Sequence, residues 1–166
     1  MDEKRINTEM KRLEKILDKE FNNIEWLKKA MDSSIIDNPN KKNNDHKNEG
    51  LATVGDAVLK TVLADYLYTN RDTTDYGITE EKSKYENNDV LRKVVVNYRI
   101  NKYAYNEKHF NKDKFIPEHE KVVDNKHDVY LEAIIGAMYF DCGYDKTKEW
   151  INNWLLPKLK EASKKK

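Results

Sequence analysis

The chain has 166 residues, of which 37 % are charged, yet its formal net charge is only +1. That length fits one domain with one buried core, and the charge balance excludes both the strong basic excess of a general nucleic-acid binder and an acidic tail. Cys142 is the single cysteine, which excludes an internal disulfide and a paired-cysteine zinc site and suits a reducing, cytoplasmic setting.

The first residues, MDEKRINTEMKR, are charged rather than apolar, and no run approaches the roughly 20 apolar residues of a membrane helix. The expectation is a soluble cytoplasmic protein with no membrane partner and no secretion segment. Apolar residues then recur at Met10, Leu13, Ile16, Leu17 and at Phe21, Ile24, Leu27, Met31. Spacings of three and four predict two amphipathic helices broken and capped at Asn22 and Asn23. Ser33 to Lys47, with an Asn-Pro-Asn and few apolar residues, reads as an exposed loop.

Between Glu49 and Tyr68 a wide apolar stripe (Leu51, Val54, Val58, Leu59, Val62, Leu63, Tyr66, Leu67) predicts a helix through the core. Arg71 to Gly77 is a polar turn, and two further helices follow, separated near Asn87 and Asn88; the run Val94-Val95-Val96 keeps helical flanks. Asn106 to Asn125 reads as loop. Val129 to Phe140 is strongly apolar and precedes a Cys-Gly stop, and a last helix carries Trp150, Ile151, Trp154 and Leu155 up to Pro157. No alternation is long enough for a sheet and no repeat is visible, so the expected class is all-α, a single domain over 1–166 with its core about 10–160. The lysines of the tail, 158–166, read as a solvated end or a phosphate contact.

Two helices place acids inside apolar stretches, where a carboxylate is costly unless something binds it. In Asn48-Glu49-Gly50-Leu51-Ala52-Thr53-Val54-Gly55-Asp56-Ala57-Val58-Leu59, Glu49 and Asp56 are two turns apart on one face. In Asp128-Val129-Tyr130-Leu131-Glu132-Ala133-Ile134-Ile135-Gly136-Ala137, Asp128 and Glu132 stand at i and i+4. Gly55 and Gly136 would let the two helices approach closely and bring Asp56 and Glu132 together. An all-oxygen site of this kind suits Mg²⁺. Spacing alone leaves two readings open, a metal site or solvated, lysine-paired carboxylates. His46, His109, His119 and His127 are scattered through expected loops and support neither zinc nor a general base.

The segment Asn48–Leu59 resembles the ribonuclease III motif N-E-R-L-E-F-L-G-D-A-V-L, and Asp128–Ala137 resembles that family's second acidic segment, D-x-x-E-A-L-I-G-A. The opening Arg12-Leu13-Glu14, Phe21, Leu27, Ala30-Met31 and Ser33-Ser34 is similar to the family's first two helices. Two motifs at the family's separation are a more specific signal than either alone. The resemblance implies a ribonuclease III-type helical endonuclease domain. Asp56 and Glu132 would be its central metal ligands, Asp128 a third, and Glu49 a residue of the groove, with Mg²⁺ as cofactor and Mn²⁺ as substitute.

Ala52 stands where the family has a second glutamate. Val129 stands where it has the second-motif aspartate, leaving Asp128 to substitute one position earlier. Thr53 replaces a phenylalanine that packs into the partner of a homodimer. Leu51 to Val58 is closer to the Mini-III branch, which lacks a separate double-stranded-RNA-binding domain. The resemblance thus implies a homodimeric endoribonuclease on double-stranded or structured RNA. A degraded, non-catalytic module that binds structured RNA or a ribonucleoprotein is the alternative, and a helical protein-interaction domain is a third reading with only tyrosines and charged faces behind it.

Overall fold

The computed structural model describes residues 2–36, 45–70, 74–105 and 129–164. Helix α1 (Asp2–Leu17) buries Met10, Leu13 and Leu17 of the stripe that the spacing predicts, with Ile16 only partly buried and Ile6 buried as well. Helix α2 (Ile24–Met31) begins where expected: the Asn23 side chain accepts the Glu25 backbone N–H. The chain just before α2 is also held from afar, since the Asp141 carboxylate accepts the backbone N–H groups of Asn22 and Asn23, each at 2.8 Å.

The segment expected to be an exposed loop is structured at both ends. Ser33 and Ser34 are buried, and β1 (Ile35–Ile36) pairs antiparallel with β2 (Asp45–His46). Ser33 N–H donates to the Tyr105 carbonyl at 2.8 Å, and Tyr105 N–H to the Met31 carbonyl at 3.0 Å. These ladder bonds satisfy backbone groups that burial would otherwise leave unpaired, and nothing in the local composition announces them. The fold remains all-α in its mass.

Helix α3 (Glu49–Asn70) is the central element, with Ala52, Gly55, Val58, Leu59, Val62, Leu63 and Leu67 buried. Helix α4 (Asp75–Glu86) starts at a Thr74 cap. Asn87 closes α4 and caps α5 (Asn88–Asn97) by accepting the Val90 N–H, so the predicted break is real and Val94–Val96 are helical. A 3₁₀ turn (Ile100–Tyr103) follows. The loop expected over Asn106 to Asn125 lies outside the described residues.

Helix α6 (Tyr130–Trp150) passes the expected Cys-Gly stop. Gly143 absorbs the change of direction with φ +85°, a value that only glycine adopts cheaply, and helix resumes beyond it. Nor does helix end at Pro157. A π-helical turn (Ile151–Leu155) leads into α7 (Leu156–Ser163), whose first turn holds the proline, where its missing N–H costs nothing. Trp150 Nε1 donates to the Leu17 carbonyl at 2.7 Å, tying the far end of α6 to the end of α1.

The basic tail is more engaged than its sequence implies. Lys158 lies over the rings of Trp154 and Tyr98, at 4.0 and 5.0 Å from their centroids, and Lys160 donates to the Tyr66 hydroxyl at 2.6 Å. Lys165 and Lys166 lie outside the described residues. Among the described residues no helix is long and apolar enough to cross a membrane.

Candidate active site

The site is built where α3 crosses α6. A Cβ on Gly55 would overlap the Glu132 carbonyl, and one on Gly136 would overlap the Leu51 carbonyl. The helices therefore touch backbone to backbone, as the small residues predicted. Asp56 follows Gly55 directly, and Glu132 sits one turn before Gly136, so this contact sets both carboxylates at one crossing.

Two depressions meet there. One, about 410 Å³, is lined by Asp56, Lys60, Ser83, Glu86, Asn87, Asn88 and Glu132. The other, about 700 Å³, is lined by His46, Lys47, Glu49, Ala52, Thr53, Asp56, Val129 and Glu132, among others. Asp56 and Glu132 line both.

Glu49 opens α3 and stands at the rim of the larger depression, where its Oε2 accepts the His46 backbone N–H at 2.9 Å. Asp56 is half-buried, and its Oδ2 pairs with Lys60 Nζ at 2.9 Å. Lysine pairing, one of the two readings left open by the spacing, is thus realised at Asp56. Glu132 is half-buried in the first turn of α6. The expectation for Asp128 falls outside the described residues; α6 is described from Tyr130 onward, with Val129 as its N-cap. Val129 itself lines the larger depression, so an apolar side chain stands there.

Sequence reasoning missed Lys60 and Glu86. Lys60 lies one turn beyond Asp56, and that i,i+4 spacing was visible. Glu86 ends a polar helix with nothing in its pattern to single it out. Its Oε1 is 3.6 Å from Lys82 Nζ, while its Oε2 is buried and accepts no hydrogen bond from the described residues. The hydrogen bond and charge of Asp56 raise the Lys60 pKa above its ordinary value; the charges of Glu86 and Glu132 add to this, and desolvation opposes it. Negative potential therefore converges on the Lys60 ammonium. His46, expected in a loop, belongs to β2; its Nδ1 is 2.7 Å from the Ser33 carbonyl, and the residue lines the larger depression.

The donor set suits a hard cation. The smaller depression offers carboxylate, amide and hydroxyl groups, without thiol or imidazole. Among the described residues no three His, Cys, Asp or Glu side chains draw together as a metal-holding group. Two carboxylates completed by waters and phosphate oxygens are, however, a usual arrangement for Mg²⁺. Asp56 and Glu132 fit such an ion, with the protein supplying the minority of its ligands.

Comparison with known proteins gives the class of this helical fold. Residues 31–159 match the family described as Ribonuclease-III-like. The chain is 35 % identical over 112 residues to Ribonuclease 3 of Azobacteroides pseudotrichonymphae, covering 66 % of this chain and 38 % of that protein. It is 28 % identical over 164 residues to Ribonuclease 3 of Coxiella burnetii, covering 93 % of this chain and 63 % of the relative. The nuclease domain of ribonuclease III from Campylobacter jejuni, described for flexibility in a region involved in dimer formation, superposes with a TM-score of 0.64 at 22 % identity. That match covers 90 % of this chain and 95 % of that one.

The chain belongs to the ribonuclease III family. It spans less than two thirds of the length of these curated relatives.

Proposed function

We propose that the chain is a Mg²⁺-dependent endoribonuclease acting on double-stranded or structured RNA, with Mn²⁺ as a substitute. The observation that carries this reading is the Gly55–Gly136 crossing, which sets Asp56 and Glu132 on the boundary shared by two depressions. In this reading Asp56 and Glu132 hold the ion, Asp128 adds a ligand, and Glu49 shapes the rim of the RNA groove. When bound, the ion supplies activation of water and stabilisation of the departing oxygen. The side chains fix where that happens, and water enters opposite the 3′-oxygen, leaving a 5′-phosphate and a 3′-hydroxyl.

RNA duplexes are read through shape, phosphates and 2′-hydroxyls, so little base-specific machinery is required. A homodimer through the exposed side of α3, where Thr53 lies, would double the groove. A domain of the Mini-III kind fits the Leu51–Val58 segment.

A second reading has one observation in its favour. Asp56 is neutralised by Lys60, and Ala52 and Val129 occupy acidic positions of the motif. A module of this kind would bind RNA without cutting it. Incubation with a long RNA duplex separates the two: cleavage into products with 5′-phosphates in Mg²⁺ and none in chelator is expected. Binding without cleavage in either Mg²⁺ or Mn²⁺ would overturn the enzyme and leave the module.

A further inference from the structure

We propose that Glu86 is a further carboxylate of the metal site, drawn from the end of α4 to the ion that Asp56 and Glu132 hold. This rests on the metal-dependent reading above. The first ground is placement. Glu86 is the last residue of α4 and lines the smaller depression together with Asp56, Lys60 and Glu132. The chain on either side of it is held: Tyr85 is buried, and Asn87 accepts the Val90 N–H at 3.0 Å while donating to the carbonyls of Ser83 and Lys84, each at 3.2 Å. Glu86 can thus turn its side chain over a fixed backbone.

The second ground is a cation already at that place. The charges of Asp56, Glu86 and Glu132 all act on the Lys60 ammonium, which lies 2.9 Å from Asp56 Oδ2. Carboxylates from three helices share one positive charge there, and a divalent ion on Asp56 and Glu132 enters the same field.

The third ground is that Glu86 is loosely committed. Its Oε1 lies 3.6 Å from Lys82 Nζ, beyond hydrogen-bonding distance, and its Oε2 is buried with no hydrogen bond among the described residues. A carboxylate oxygen out of water and without a donor is costly where it stands. An arriving cation favours a turn of the carboxylate toward it. Among the described residues no three His, Cys, Asp or Glu side chains already close into a metal-holding group, so the approach of Glu86 follows binding rather than preceding it. Ala52 and Val129 put apolar side chains where the family motif has acids, and α4 supplies one from a direction that the motif does not cover.

The test measures the Mn²⁺ affinity of the full chain by equilibrium dialysis, together with the rise in Tm that Mn²⁺ causes. Glu86→Gln removes the charge at constant shape, and Glu86→Asp keeps the charge but shortens the reach. Each should bind Mn²⁺ at least about tenfold more weakly, with a smaller rise in Tm. Glu81→Gln, the same charge change on α4 outside the depression, should bind as the unmodified chain does. In chelator the Tm of Glu86→Gln should not fall, since the oxygen it replaces has no donor.

Unchanged Mn²⁺ affinity in either Glu86 variant would overturn the proposal. So would an equal loss in Glu81→Gln, which would show long-range charge alone, or a fall in the chelator Tm of Glu86→Gln, which would show a structural role through Lys82. Asp56→Asn separates the two levels. If it binds Mn²⁺ as the unmodified chain does, or if the unmodified chain binds none, the metal-dependent reading fails and this proposal with it. If Asp56→Asn loses the ion while the Glu86 variants keep it, only the role of Glu86 fails.

Discussion

The carbonyl of Glu132 occupies the space that a side chain on Gly55 would need. The overlap is with backbone, which cannot rotate aside. Gly55→Ala must push α3 and α6 apart, at a cost of about 3 kcal/mol. Denaturant titration checks this, and an unchanged midpoint would show that the helices do not meet as described. Gly136→Ala, against the Leu51 carbonyl, should behave alike.

If Asp56 and Glu132 hold the ion as proposed, Asp56→Asn and Glu132→Gln each remove a direct metal ligand and should lower cleavage of duplex RNA by at least about a hundredfold. Duplex binding should hold or improve, since one repulsive charge facing the phosphates is gone. Asp56 pairs with Lys60 at the surface, so the stability change for Asp56→Asn should stay within about 1 kcal/mol. Unimpaired cleavage by both variants would place the chemistry elsewhere.

Ala52→Glu reinstates the acid of the family motif at a buried position beside Asp56. In chelator the extra carboxylate should lower Tm, because burial and like charge both oppose it. Added Mn²⁺ should raise Tm more for this variant than for the unmodified chain, by mass action on the folded state. Equal shifts would show that position 52 does not reach the ion.

Burial lowers the Lys158 pKa from its ordinary 10.5, the charge of Asp18 opposing. Between that lowered value and 10.5 the unfolded chain binds the proton more tightly than the folded chain. The contribution of this lysine to stability therefore rises as pH climbs through that window. Lysines with raised values, such as Lys148 beside Asp65, act in the opposite sense. The measurement is thus the difference between the unmodified chain and Lys158→Met as pH approaches 10.5. The stability of the unmodified chain should gain relative to the variant, and a difference that is flat with pH would refute the shift.

Periodicity was enough to locate the helices that carry Asp56 and Glu132, because an acid in an apolar stripe is conspicuous and the neighbouring glycines say how close the helices come. Glu86 was not legible, since it reaches the site through the packing of α4 on α3, which no local pattern encodes. Ser33–Ile36 looked like loop because its backbone partners, Tyr105 and the Asp45–Lys47 stretch, are distant or polar. Pro157 looked like a terminus, but a proline in the first turn of a new helix gives the same signal.

The bond from Trp150 to the Leu17 carbonyl joins residues 133 positions apart. Contacts of that reach are made late, since the entropy of closing the intervening chain is lost before the contact returns anything. During synthesis α1 leaves the ribosome long before Trp150 exists. Its apolar side, with Met10, Leu13 and Leu17, can meet α2 and the 3₁₀ turn well before then, and the bond at its end closes last. The two ends of the described fold are therefore fastened to each other only after almost the whole chain has been made.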